Sequence, residues 1–124
     1  MARGGGSGGV VSAGFDLMSG DPVPRAHHLQ SAGQSRCASD DVAVLPWNDA
    51  EVFEKYVAAN GSRIAAIITE PVMLNTGGIL PRDGYLQTLR RVASEHGIVL
   101  IFDEVITGFR VGLGGAQGLM GVKP

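Results

Sequence analysis

From Val42 onward, apolar runs alternate with amphipathic stretches, whereas the residues before Asp40 show neither a period of two nor one near 3.6. Positions 42–45 predict a short strand halted by Pro46. Asn48 can then cap a helix over positions 49–59, with Glu51 three residues later reaching back to the cap amide. Val52, Phe53, Tyr56 and Val57 make its apolar stripe, while Glu51 and Lys55 lie four apart on the solvent side. The Asn60-Gly61 pair tolerates the left-handed turn that ends a helix. Positions 64–69 are nearly continuously apolar, the pattern of a parallel strand covered on both faces, and Pro71 withdraws a ladder donor just beyond. A loop through Asn75, Gly77 and Gly78 leads to Pro81. Asp83 is then the expected cap of a second helix, with Tyr85, Leu86, Leu89 and Val92 on its apolar face and Gly97 at its end. Positions 98–102 are the third strand.

Strand, helix, strand, helix, strand is the order of an α/β fold, with parallel strands joined by crossover helices. Ligands on such sheets bind beyond the carboxyl ends of the strands, where Glu70 and Asp103 both fall. Two right-handed crossovers in one direction put both helices on the same face of the sheet and leave the other face bare. The chain is therefore expected to be part of a larger domain, or to need a partner over that face. Residues 1–40 are rich in Gly, Ser, Ala, Pro and Arg and are expected to be loop, set apart from a folded part over residues 41–124. Deleting them should then change stability little.

Composition narrows the class. The 124 residues include 19 Gly, are 44% hydrophobic and 18% charged, and carry a formal net charge of -2, which suits a globular chain of at most one domain with no nucleic-acid partner. The single cysteine, Cys37, excludes an internal disulfide framework and points to a reducing compartment, most simply the cytoplasm. No apolar stretch approaches the roughly 20 residues of a membrane span, and MARGGGSGG lacks the apolar centre of a signal peptide.

The richest local signal is IVLIFDEVITGFR at positions 98–110, an apolar strand that ends in two carboxylates and turns through Thr107 and Gly108. In a phosphate-loop ATPase such a pair would hold magnesium and activate water, but GGGSGG at positions 4–9 lacks the Lys-Ser/Thr ending which gives phosphate loops their specificity. His27 and His28 are adjacent and splay apart on an extended chain, so no metal site is expected. His96 reads as a favourable charge at a helix end, Cys37 as an unremarkable thiol and Trp47 as packing. Arg110 could bind a substrate carboxylate or phosphate, or make a loop or subunit contact.

IAAIITEPVMLNTGGILPRDGYLQTLR and HGIVLIFDEVITGFRVGLGGAQG, preceded by LPWNDAEVFE, together resemble the class III aminotransferases, in particular their glutamate-1-semialdehyde aminomutase branch. The resemblance runs from about Val42 to Pro124. It implies part of the large domain of a fold-type-I transferase that depends on pyridoxal 5'-phosphate (PLP), with a small-molecule amino donor, a carbonyl acceptor and a homodimeric parent. It further implies that Asp103 faces the pyridine nitrogen, that Val105 packs on the ring face, and that Glu70 and Asn75 support the cofactor. A carboxylate beside that nitrogen favours its protonated form, which lets the ring accept electrons. Ile106 stands where another branch commonly has a Gln able to bond the ring hydroxyl, so the resemblance leans toward the aminomutase-like branch.

Transamination also needs a lysine to hold the cofactor as a Schiff base and shuttle a proton. Only Lys55 and Lys123 occur, and neither matches the family's position. The aromatic-His-Gly signature and the Ser/Gly-rich phosphate turn of the family are missing as well. The chain is therefore expected to be an inactive fragment of an aminotransferase that carries the ring-nitrogen half of the site but no catalytic residue of its own. A glutamate-1-semialdehyde 2,1-aminomutase fragment, a non-catalytic binding module of the same fold and a nucleotide-binding domain are the alternatives.

Overall fold

The computed structural model describes residues 9–14, 25–26 and 41–124. Five strands form one sheet: β1 (Gly9–Gly14), β2 (Arg25–Ala26), β3 (Val42–Pro46), β4 (Ile64–Thr69) and β5 (Val99–Phe102), in the order β2-β3-β1-β4-β5. β1 pairs in parallel with both β3 and β4, β4 pairs in parallel with β5, and only the two-residue edge strand β2 runs antiparallel. Helix α1 (Ala50–Asn60) joins β3 to β4 by way of a 3-10 turn at Gly61–Arg63, and α2 (Tyr85–His96) joins β4 to β5. A short helix, α3 (Gly115–Met120), follows β5. The expected α/β alternation over the last three strands is what the structure has.

Both crossover helices press on one face of the sheet. Phe53 and Val57 of α1 and Leu86, Leu89 and Val92 of α2 share one core with Leu45, Ile67 and Leu100 of the strands. Ile67 and Leu100 are cross-strand partners, so their side chains rise from the same face. The alternate residues of β5 point the other way, and Val99 and Ile101 are 59% and 40% exposed. The bare face expected from two crossovers in one direction is present among the described residues.

One expectation is overturned at the centre of the sheet. Gly9–Gly14, read from the sequence as loop, is the middle strand, with five register partners on β3 and a second ladder to β4. GVVSAG offers only two β-branched residues between glycines, too short a run for any period to show. Its strand conformation comes from neighbours on both sides that lie far along the chain. Deleting residues 1–40 therefore removes the strand which joins β3 to β4. His27, His28, Cys37 and positions 4–8 lie outside the described residues.

The helix ends also differ from expectation. Asp49, not Asn48, caps α1 by accepting from Val52 N at 3.0 Å, and no bond returns from Glu51 to the cap. Asn48 instead takes a left-handed φ of 66°. Gly61 is right-handed at φ -51°, and its lack of a side chain serves close packing, since a Cβ there would lie 2.6 Å from His96 Nδ1. At α2 the cap position is Gly84, with no side-chain cap, rather than Asp83. Gly97 ends α2 in the left-handed region as expected. No helix among the described residues is long and apolar enough to cross a membrane.

Candidate cofactor site

The carboxyl ends of β4 and β5 form the edge on which the candidate residues stand. Thr69 pairs with Phe102, and Asp103 N donates to Thr69 O at 2.8 Å, which carries the ladder one step further. Glu70 and Asp103 thus leave neighbouring strands side by side.

Glu70 folds back onto its own loop. Its carboxylate accepts from Leu74 N at 3.0 Å, Asn75 N at 3.4 Å and Asn75 Nδ2 at 2.8 Å. Two glycines, Gly77 and Gly78, have positive φ and return the chain so that Met73 and Ile79 bridge. Asn48 staples the next stretch, donating to Leu80 O at 3.0 Å and accepting from Arg82 N at 2.8 Å. Below it Trp47 is buried, donates to Thr69 Oγ1 at 3.0 Å and meets Tyr85 edge-on at 5.5 Å. Burial pushes the Tyr85 hydroxyl up to about 12, against a backbone hydrogen bond at Asn48 that lowers it, so the ring stays neutral beneath the site. Trp47 is packing, as expected, but it also anchors the end of β4.

Asp103 is half-buried, and one of its oxygens accepts from Val105 N at 3.0 Å. No other hydrogen bond reaches this carboxylate among the described residues. Val105 stands 90% exposed beside it. A carboxylate with an open oxygen next to an uncovered aliphatic side chain fits an aromatic heterocycle that carries a ring N–H. Glu70 and Asn75 are bonded to each other and Asp103 to Val105, and no hydrogen bond links the two pairs.

Glu104 points elsewhere and is bonded as fully as Glu70. It accepts from Thr107 Oγ1 and Gln117 N, each at 3.0 Å, and from Ala116 N. Burial raises its pKa, but the amides of Gln117 and Ala116 and the Thr107 hydroxyl outweigh this and hold the carboxyl below its ordinary range. Sequence reasoning paired Glu104 with Asp103 and missed this role, because its two amide partners lie 12 and 13 residues away. The available signal was the cluster of Gly114 and Gly115 at the start of α3.

Neither lysine stands beside Asp103. Lys55 pairs with Glu51 at 2.6 Å on the outer side of α1. Lys123 lines a groove with Glu104, Phe109, Leu113, Gly115 and Gln117. Arg110 is exposed, its amide donating to Thr107 O at 3.2 Å. Among the described residues no cluster of His, Cys, Asp and Glu could hold a metal ion.

A mainly parallel sheet with acidic residues at its carboxyl edge makes this an α/β protein with its candidate site beyond the strand ends, and the solved structures it resembles are aminotransferases of fold type I. The family model for Aminotransferase class-III matches residues 16–124, so the chain belongs to the class III aminotransferases. It is 45% identical over 111 residues to a glutamate-1-semialdehyde 2,1-aminomutase from Roseiflexus castenholzii, which covers 90% of this chain and 26% of that protein. An omega-transaminase from Sphaerobacter thermophilus superposes with a TM-score of 0.80 at 28% identity, over 95% of this chain and 30% of its own. A glutamate-1-semialdehyde-aminomutase variant from Pseudomonas aeruginosa PAO1, in complex with PMP, gives a TM-score of 0.72 at 28% identity, over 96% of this chain and 28% of its own. The chain thus spans about a quarter of the length of these relatives.

Proposed function

We propose that this chain holds the pyridine-nitrogen half of the PLP site of an enzyme that moves an amino group between a small-molecule amino donor and a carbonyl acceptor. The observation that carries it is Asp103, steadied on one oxygen by Val105 N and free of other described partners on its carboxylate. Asp103 holds a proton at the ring nitrogen by opposite charge. Val105 lies against the ring face and excludes water there, and the bonded pair Glu70 and Asn75 supports the cofactor from the neighbouring strand end. When bound, PLP supplies an electron sink for the charge left as the substrate loses a proton. Covalent attachment and proton transfer require a lysine outside residues 1–124 of this chain, because Lys55 is paired on α1 and Lys123 flanks Glu104 rather than Asp103. The parent is read as a cytoplasmic homodimer, and this chain by itself as inactive.

A 2,1-aminomutase is the more specific alternative, favoured by Ile106, which has no polar group for the ring hydroxyl, and by the name of the Roseiflexus relative. The test is an absorbance titration with PLP on the chain and on Asp103→Asn, followed by borohydride reduction and peptide mapping. The expected result is non-covalent binding that weakens in Asp103→Asn, with no single lysine modified and no turnover. Reduction of one specific lysine together with activity toward an amino donor would make the chain a minimal enzyme and overturn the half-site. Equal PLP binding by both proteins would remove Asp103 from it.

A further inference from the structure

Glu104 has no part in that half-site, yet its carboxylate accepts three hydrogen bonds, as many as that of Glu70. Both of its oxygens are engaged: Oε1 by Gln117 N, and Oε2 by Thr107 Oγ1 and Ala116 N. Its own backbone oxygen accepts from Gly108 N at 2.8 Å. One residue therefore ties the end of β5 to the turn that follows it and to the first turn of α3.

The clasp is built closely enough to dictate its neighbours. A Cβ at Gly115 would lie 2.3 Å from Glu104 Oε2, and one at Gly108 would lie 2.8 Å from Glu104 O. Gly115 also has φ +61°, so both conformation and space require glycine there. Thr107 is 2% exposed, which hides its bond to Glu104 from competing water. Along the chain the clasp sits directly between Asp103 and Val105. The Val105 amide which orients Asp103 belongs to the peptide unit joining Glu104 to Val105, so the direction of that N–H follows from how Glu104 is held.

We infer that Glu104 is a positioning residue: by fixing the peptide between itself and Val105, it aims the Asp103 carboxylate and the Val105 side chain at the cofactor ring. This rests on the reading of Asp103 and Val105 as ring contacts. The chain of support runs from the α3 amides and the Thr107 hydroxyl to Glu104, then through the Val105 amide to Asp103. Behind metal ligands, supports one step removed commonly change affinity about ten-fold or more, and an effect of that order is expected here.

Glu104→Gln keeps the shape of the side chain but has only one oxygen to share among three donors. Three signals are followed in it and in the unaltered chain: the Asp103 carboxyl carbon by NMR, the Val105 amide, and the ring nitrogen of 15N-labelled PLP. The amides of Ile67 and Leu100 report whether the sheet is intact. The expected result is an unchanged sheet, shifted Asp103 and Val105 signals, a ring nitrogen moved toward its unprotonated position, and PLP binding weaker by about ten-fold. Asp103 and Val105 signals that stay as in the unaltered chain would overturn the positioning role, whether or not PLP binds. Failure of both proteins to bind PLP would overturn the cofactor reading instead, and the NMR comparison would still decide whether Glu104 holds Asp103. Should Glu104→Gln lose the sheet signals, Thr107→Val, which removes one donor from a buried site of similar shape, carries the same comparison, and unmoved Asp103 and Val105 signals in it overturn the role.

Discussion

At Glu104 burial and hydrogen bonding act in opposite directions on one carboxyl group, and the bonds from Gln117, Ala116 and Thr107 win. The sign of the effect on stability follows. A carboxyl whose folded pKa lies below its ordinary 4.5 contributes stability that is complete above that value and is lost as pH falls through the lower folded value. The stability gap between the unaltered chain and Glu104→Gln should therefore be constant from neutral pH down to about 4.5 and narrow below it. Urea unfolding of both proteins across that range checks this, and a gap that stays flat into strong acid would rule it out. Asp103 and Val105 could be proposed as site residues from the sequence because they sit in one unbroken motif. The work of Glu104 could not, since its two amide partners come from a helix start a dozen residues later.

Elements were legible wherever a period of 3.6 or a continuous apolar run was long enough to show. The stripe of Val52, Phe53, Tyr56 and Val57 and that of Tyr85, Leu86, Leu89 and Val92 mark the two crossover helices, and IAAIIT marks β4. Their ends were less legible. Asn48 and Asp49 are both good caps by residue type, and the choice went to Asp49 because Asn48 was taken by Leu80 and Arg82 from another loop. β1 was invisible for the same kind of reason, as its ladder partners are contributed by β3 and β4. Removal of residues 1–40 should abolish cooperative unfolding, because β3 and β4 have no direct pairing to replace β1. A thermal scan by circular dichroism that kept its midpoint after this deletion would contradict the central place of β1.

Over the described residues the imbalance expected of two same-side crossovers becomes a physical property: one face of the sheet is packed by α1 and α2, and the other shows Val99 and Ile101 to solvent. Contiguous apolar surface of this kind seeks cover. The isolated chain should raise the fluorescence of an apolar-surface dye or self-associate as its concentration increases. A monodisperse monomer with no dye response would show that the face is closed in some other way. The proposed half-site has the same one-sidedness, since neither Lys55 nor Lys123 is read as the partner of Asp103 and Val105.

The sequence by itself determined the alternation of strands and helices, the apolar faces, and the delivery of Glu70 and Asp103 to strand ends, because each depends on residues close together along the chain. The family also followed from contiguous motifs. Tertiary structure alone decided that GVVSAG is the central strand, that Asn48 is a loop staple, that Glu70 turns onto Asn75, and that Glu104 clasps α3. Each of these depends on a partner brought near by folding, and a short polar or glycine-rich segment carries no local sign of which distant group will satisfy its hydrogen bonds.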